Sequence, residues 1–138
     1  MTPEVVLADA EPNGLARMLA GLLEANLDRR PGRAALLRPA VVEVDAADAG
    51  VVVTVRLDGR GVRVSNGAAA PRPDVRVRAS GHDLLALSAA PLRFGFPDPL
   101  RREGRAVLGL IVSGKVRVSG MVRHPVVLSR FSRLLSAR

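Results

Sequence analysis

The chain contains no cysteine, no tryptophan and no tyrosine, and only three phenylalanines among its 138 residues. Without thiols it can form no disulfide, thiolate nucleophile, zinc–cysteine cluster or iron–sulfur site. The scarcity of aromatic side chains leaves little surface for stacking on bases or sugars. The core must therefore be built from Val, Leu, Ile and Ala.

Long apolar runs and targeting signals are missing as well. No apolar stretch approaches the roughly 20 residues that a membrane-spanning helix needs. The first dozen residues carry Glu4, Asp9 and Glu11, which a signal peptide would not. The last three residues differ from the Ser-Lys-Leu peroxisomal address. We therefore expect a cytoplasmic protein without a transmembrane segment.

Positive charge, by contrast, is plentiful. The chain has 21 basic and 13 acidic side chains, a net charge of +8, and every basic residue except Lys115 is an arginine. Such charge predicts attraction to nucleic acid, anionic membranes or acidic small molecules, but it says nothing about the fold. With 48% apolar and 25% charged residues, we expect residues 1–138 to form a single domain.

Apolar residues at helical spacing predict an amphipathic helix from near Asn13 to just before Pro31. A short helical turn is expected between Arg33 and Arg38, and the prolines between residues 91 and 99 predict irregular backbone. Three further helices are predicted, one capped by Ser80, one from Leu100 to about Val112, and one from Pro125 onward.

Alternation of apolar and polar residues predicts five strands. They begin near Ala40, Val51, Gly61, Asp74 and Lys115. Together the elements predict an α+β domain, sandwich-like, in which helices cover one face of a five-stranded, mostly antiparallel sheet.

Groups that could carry catalysis are scarce. The two histidines, His82 and His124, are far apart in sequence and have no spaced carboxylate cluster near them, which makes a metal site improbable. His82 and Asp83 are neighbours on a helix and do not face one another. Ser113-Gly114 lacks the context of a nucleophile elbow. We predict no catalytic residue, no metal site and no cofactor.

Arginines recur on the polar phase of the predicted strands. If the strands share a sheet, these arginines form one basic face that could contact phosphates of nucleic acid, coenzyme A or lipid headgroups. The simpler interpretation, a solvated sheet face whose arginines keep the edges soluble, is the one that the pattern favours. The residues are Arg56, Arg63, Arg76, Arg78 and Arg117.

The last third of the chain holds many large apolar residues outside the strands. They either fill a core between helices and sheet or leave an apolar cavity there. Because protein interiors are normally close-packed, periodicity alone favours a filled core.

Several motifs, taken in their order, resemble the sterol carrier protein type two lipid-binding domain. They are the strand pair around Leu57-Asp58-Gly59, the strand over residues 73–77, the helix from Ser80 to Leu87, and the glycine-lysine strand from Ser113 to Gly120 with its apolar closing helix. The amphipathic first helix fits the family's opening helix.

The resemblance implies an apolar tunnel between the sheet and the C-terminal helices. Such a tunnel binds or transfers a fatty acid, a fatty acyl-coenzyme A or a sterol-like ligand without catalysis, and this implication favours a cavity over a filled core. Projected onto this sequence, the lining consists of Leu85, Phe94, Leu108, Ile111, Val118, Val127, Phe131 and Leu134. The alternative is a basic protein that binds nucleic acid or an anionic membrane through its arginine face, although the chain has no dedicated nucleic-acid motif.

Overall fold

The computed structural model describes residues 4–68, 72–84, 92–93, 96–97, 100–120 and 123–135. Its helices are α1 (Gly14–Arg29), α2 (Arg102–Val112) and α3 (Pro125–Leu135), with a 3-10 helix over Pro31–Leu36. Residues 81–84 are also helical. The strands are β1 (Glu4–Leu7), β2 (Ala40–Ala46), β3 (Val51–Leu57), β4 (Gly61–Asn66), β5 (Val75–Ala79), β6 (Leu92–Arg93), β7 (Phe96–Pro97) and β8 (Arg117–Ser119).

Six of these strands form one mixed sheet in the order β1-β4-β3-β2-β5-β8. The pairs β4–β3, β3–β2 and β5–β8 are antiparallel, whereas β1–β4 and β2–β5 are parallel. The predicted α+β class and mostly antiparallel sheet are therefore confirmed. Within the described ranges, however, the sheet has six strands instead of the predicted five.

The additional strand is β1, which lies at one edge of the sheet and pairs with β4. Its four residues are too few to show a clear alternation, and its partner lies more than fifty residues away in sequence. Asn66, at the end of β4, fixes the segment that follows β1. Its amide side chain accepts from Asn13 N at 3.0 Å and donates to Glu11 O at 3.0 Å, while its backbone N–H donates to Asp9 at 2.7 Å.

Helix α1 forms as its sequence predicts. Asn13 caps it, because its side-chain oxygen accepts from Ala16 N at 2.8 Å, which satisfies one of the N–H groups left over at a helix start. Leucines at every fourth position, including Leu15, Leu19, Leu23 and Leu27, are buried. The helix thus packs a leucine stripe on the inner face of the sheet.

The inner sheet face is built from alternate valines on neighbouring strands. The register places Val44 beside Val53 and Val77, and Val55 beside Val42 and Val64, and these side chains are buried. They form one core with the apolar residues of α1 and α3. This core is aliphatic apart from Phe131, as the composition predicts.

Two local predictions change. The turn expected over Arg33–Arg38 is a 3-10 helix that begins earlier, at Pro31, because proline suits a first helical position. The segment expected to be irregular contains the short antiparallel pair β6–β7, in which Arg93 lies beside Phe96. Proline is tolerated at the ends and edges of strands, and here Pro97 pairs with Leu92.

Candidate functional site

The described lining residues lie on three elements near the C-terminus: α2, β8 and α3. At the end of α2, the Leu110 carbonyl accepts from Val116 N at 3.1 Å and from the Ser113 hydroxyl at 3.1 Å. Strand β8 then pairs with β5, which places Val118 beside Val77 on the inner face of the sheet. The end of α2 and strand β8 are therefore fixed to one edge of the sheet.

Gly120 and His124, which lie between β8 and α3, are both close to Asp74, the residue before β5. Gly120 has a φ of +86°, and a side chain there would collide with the backbone of Asp74, so only glycine fits. The Asp74 carboxylate accepts from Val41 N at 2.8 Å and lies 4.0 Å from His124 Nε2. Helix α3 thus starts against β5, the neighbour of β8.

The other end of α3 is held by α1 through a buried amide. Asn26 Nδ2 donates to the Leu134 carbonyl at 2.9 Å, and Asn26 Oδ1 accepts from Arg29 at 3.0 Å. Because Leu134 lies in the last turn of α3, its carbonyl has no partner within the helix. Asn26 therefore both satisfies this carbonyl and joins the two helices.

The structure describes six of the eight predicted lining residues and sorts them by exposure. Leu85 and Phe94 lie outside the described residues. Phe131 and Leu134 are buried in the main core. The half-buried residues are Leu108, Ile111, Val118 and Val127.

Exposure separates core residues from residues that still present an apolar surface. A close-packed side chain has no surface that a water molecule could reach, whereas one that lines a groove or an open cavity keeps some. Leu134 is 0% exposed and Phe131 is 3% exposed, so in this conformation they fill the core. Ile111, Val118 and Val127 pack against the same core from its edge and keep accessible apolar surface.

The predicted arginines do share the outer face of the sheet and are exposed. The register places Arg56 opposite Arg63, and Arg78 opposite Arg117. Arg76 lies on the same face, beside Glu43 of β2.

This outer face is less basic than the sequence predicts, because β2 brings two carboxylates into its middle. Arg76 Nε lies 2.5 Å from Glu43 Oε2, and Arg78 Nε lies 3.5 Å from Asp45 Oδ2. Glu43 is buried although it belongs to the polar face. The pairing could not be read from the sequence, because it depends on β2 lying beside β5.

The other polar groups among the described residues offer little chemistry. His82 is exposed, and the Ser80 hydroxyl accepts from Asp83 N at 3.1 Å, which confirms the predicted helix cap. Within the described ranges, no group of three or more His, Asp or Glu side chains could hold a metal ion. None of the helices described is long and apolar enough to cross a membrane.

Comparison with known proteins shows the fold. The chain matches no family model and no curated protein. It is similar in structure to a UbiJ-SCP2 ubiquinone synthesis protein, with a TM-score of 0.61 and 22% identity over 88% of this chain and 92% of the other. It is also similar to the sterol carrier protein domain 2 of Helicoverpa armigera, with a TM-score of 0.53 and 16% identity over 96% of each chain. The chain has the sterol carrier protein type two fold.

A third similar structure is a longer protein, of which the matching region is only a small part. A stereoselective inverting sec-alkylsulfatase from a Pseudomonas species matches with a TM-score of 0.52 and 17% identity, over 78% of this chain but only 14% of its own. The three sequence identities are low, so the likeness concerns the fold. In this chain α2, β8 and α3 lie within residues 102–135, and they carry the four half-buried residues of the predicted lining.

Proposed function

We propose that the chain binds a lipid or another acyl-chain small molecule without covalent chemistry, against the apolar surface of α2, β8 and α3. One observation carries the proposal: within a sterol carrier fold, Ile111, Val118 and Val127 of these three elements pack half-buried against the main core and keep accessible apolar surface. A ligand that covers such side chains removes apolar surface from water, which is favourable. We further propose that residues 1–138 act as one lipid-binding domain.

The proposed contacts divide into two groups. Leu108, Ile111, Val118 and Val127 would touch the ligand directly, since their apolar surface is accessible. Phe131 and Leu134 would form the floor behind them and move aside for a longer chain. Leu85 and Phe94 complete the proposed lining.

The names of the neighbours support the ligand class. One is a sterol carrier protein domain and another is a ubiquinone synthesis protein; sterols and ubiquinone are both largely apolar molecules. Burying a methylene contributes about 0.8 kcal/mol, so roughly ten methylenes contribute about 8 kcal/mol. That corresponds to a dissociation constant of about 1 μM before the costs of ordering are subtracted.

The charges of the outer sheet face make nucleic-acid binding the weaker alternative. Two of them are engaged by Glu43 and Asp45, which weakens the face for a polyanion. Lipid uptake driven by apolar burial should change little between 50 and 200 mM salt, whereas phosphate-backbone binding would fall by orders of magnitude.

Native mass spectrometry of the purified protein, followed by displacement of a fluorescent fatty acid, tests the proposal. We expect a co-purified lipid or saturable displacement. The decisive variant is Val127→Thr, which keeps the shape of the half-buried side chain but adds a hydroxyl, and we expect it to weaken binding about 5- to 30-fold.

The matched control is Val126→Thr, the same change one residue earlier on α3, where the side chain is 56% exposed. We expect it to leave binding within about twofold of the parent. A protein that carries no lipid and displaces no fatty acid would contradict the proposal. Equal losses in the two variants would place the ligand elsewhere.

A further inference from the structure

The outward side of α3 carries positive charge beside an exposed valine. Val126, Arg130 and Arg133 follow one another at steps of four and three residues, which places them within about 60° of arc on one side of the helix. Val126 is 56% exposed, Arg133 is exposed and Arg130 is half-buried. We call these three residues the α3 stripe.

The α3 stripe points away from the side that anchors the helix. Leu128, Phe131 and Leu134 are buried in the main core, and α3 packs against α1 and the 3-10 helix. At 3.6 residues per turn, the stripe and these three buried residues lie on different sides of the helix. The stripe therefore belongs to the protein surface and not to the core.

The charge of α3 differs from that of α1, the helix beside it. No residue of Pro125–Leu135 is acidic, and the exposed Arg123 lies just before the helix. The exposed side chains of α1, by contrast, mix Arg17 with Glu24 and Asp28. A surface with charge of a single sign attracts a partner of the opposite sign, whereas mixed charges largely cancel.

The helix dipole explains only one of the three arginines. It favours a cation in the last turn of a helix, where Arg133 lies, but Arg130 is in the middle of α3 and Arg123 precedes its positive end. Within the described ranges, no ion pair is found for any of them. An anionic surface would supply the opposite charges that this part of the chain does not.

The exposed valine favours a bilayer over other anionic partners. Val126 gains nothing from a phosphate backbone, but it can enter the apolar boundary of a membrane while the neighbouring arginines remain at the level of the headgroups. The same helix carries Val127, one of the residues proposed to contact the ligand. A membrane on this side would therefore lie close to the proposed lipid site.

We propose that the α3 stripe docks the protein on an anionic lipid bilayer, with α3 lying along the membrane surface. Docking brings the start of α3 to the bilayer, from which a ligand can be taken up. This uptake rests on the proposed lipid binding, whereas the docking does not. Fatty-acid displacement without vesicles reports on the apolar site alone, so failure of one proposal can be told from failure of the other.

The first experiment sediments the protein with vesicles in about 0.15 M salt. The vesicles consist of phosphatidylcholine alone or with about one third of phosphatidylglycerol. Because each basic residue near an anionic leaflet strengthens binding about fivefold, we expect binding to the anionic vesicles and at least tenfold weaker binding to the neutral ones. A protein that does not bind the anionic vesicles overturns the proposal.

The informative variant is Arg130→Gln combined with Arg133→Gln, and its control is Arg60→Gln combined with Arg63→Gln. Both remove two positive charges, but Arg60 lies in the turn between β3 and β4 and Arg63 on the outer face of the sheet. We expect at least a tenfold loss of vesicle binding for the first pair and less than a threefold loss for the second. Equal losses overturn the proposal, because the attraction would then come from the net charge of the whole chain.

Two further measurements complete this comparison. Circular dichroism shows whether the variants are folded, and Arg130→Gln alone, with an expected loss of about fivefold, serves if the double variant is not. A short DNA duplex is titrated in the same buffer. Duplex binding that is tighter than vesicle binding and is lost in the Arg130→Gln, Arg133→Gln variant would assign the stripe to nucleic acid and overturn the proposal.

A single fluorescent label locates the contact directly. Because the chain has no cysteine, Val126→Cys can carry one environment-sensitive label. Gly59→Cys is the control, since Gly59 is exposed in the turn between β3 and β4 and a Cβ there would meet no neighbouring atom. On anionic vesicles we expect the emission to shift to shorter wavelength for the label at residue 126 only. Any other pattern would place the contact elsewhere and overturn the proposal.

Discussion

Replacement of Asn26 by leucine tests how the two helices of the inner layer are joined. Asn26 is 2% exposed and donates to the Leu134 carbonyl, which belongs to a residue with no exposed surface. Leucine has the same number of side-chain heavy atoms as asparagine and the same branching at Cγ, but it cannot donate a hydrogen bond. The variant therefore leaves a buried carbonyl without a partner.

The expected loss follows from two contributions. A typical internal hydrogen bond stabilises by about 1 kcal/mol, and a buried acceptor left without a partner costs a further 1–3 kcal/mol. Leucine recovers part of this through better helix propensity, at about 0.4 kcal/mol, and through its apolar surface. We expect a net loss of about 2 kcal/mol, which for a chain of this size lowers the melting temperature by roughly 6–10 °C.

Urea denaturation followed by circular dichroism measures this loss. The midpoint should fall while the slope of the free energy against urea stays the same, since the surface exposed on unfolding does not change. Arg29→Gln is the control: it removes the exposed partner of Asn26 and should cost less than about 0.5 kcal/mol. An Asn26→Leu protein as stable as the parent would show that the amide does not stabilise the α1–α3 contact.

Other substitutions test the sheet and the turns by the same denaturation assay. Glu43→Gln, which removes the buried charge that pairs with the exposed Arg76, should cost about 1–2 kcal/mol. Asp45→Asn, in a longer pair whose carboxylate is more exposed, should change stability by less than about 0.5 kcal/mol; equal effects would contradict the role of burial. Gly120→Ala should destabilise by more than 2 kcal/mol, because of its positive φ and the backbone it would meet. Gly21 lies on α1, and a Cβ at this position would meet no neighbouring atom. Gly21→Ala should therefore stabilise the protein by about 0.5–1 kcal/mol, and a loss of stability would show that another group packs against this face of α1.

Most elements of the fold could be predicted because their signals are local. Leucines at every fourth position, a capping asparagine at residue 13 and alternating valines each act within a few residues of sequence, and the structure confirms the corresponding helix and strands. Strand β1 could not be predicted in this way. It is stabilised by its pairing with β4 and by Asn66, and both partners are distant in sequence.

The candidate site could be predicted only in part for the same reason. The sequence places Val118 and Leu134 alike on apolar phases, but only the packed structure distinguishes a half-buried residue at the edge of the core from one with no exposed surface. Likewise, the sequence predicts that Arg76 points outward, which is confirmed, but its partner Glu43 becomes evident only once β2 and β5 are known to be neighbours.

The strand order predicts which part of the sheet opens locally most easily. Strands β2, β3 and β4 follow one another in sequence and pair as a meander in the middle of the sheet, so their contacts close short loops and should form early in folding. Strand β8 pairs through only three residues at the far edge, so we expect it to join later. In hydrogen-exchange measurements we expect the amides of β8 and of the start of α3 to exchange well before those of β3. An incoming apolar molecule could then enter through a brief local opening on that side while the central meander stays folded.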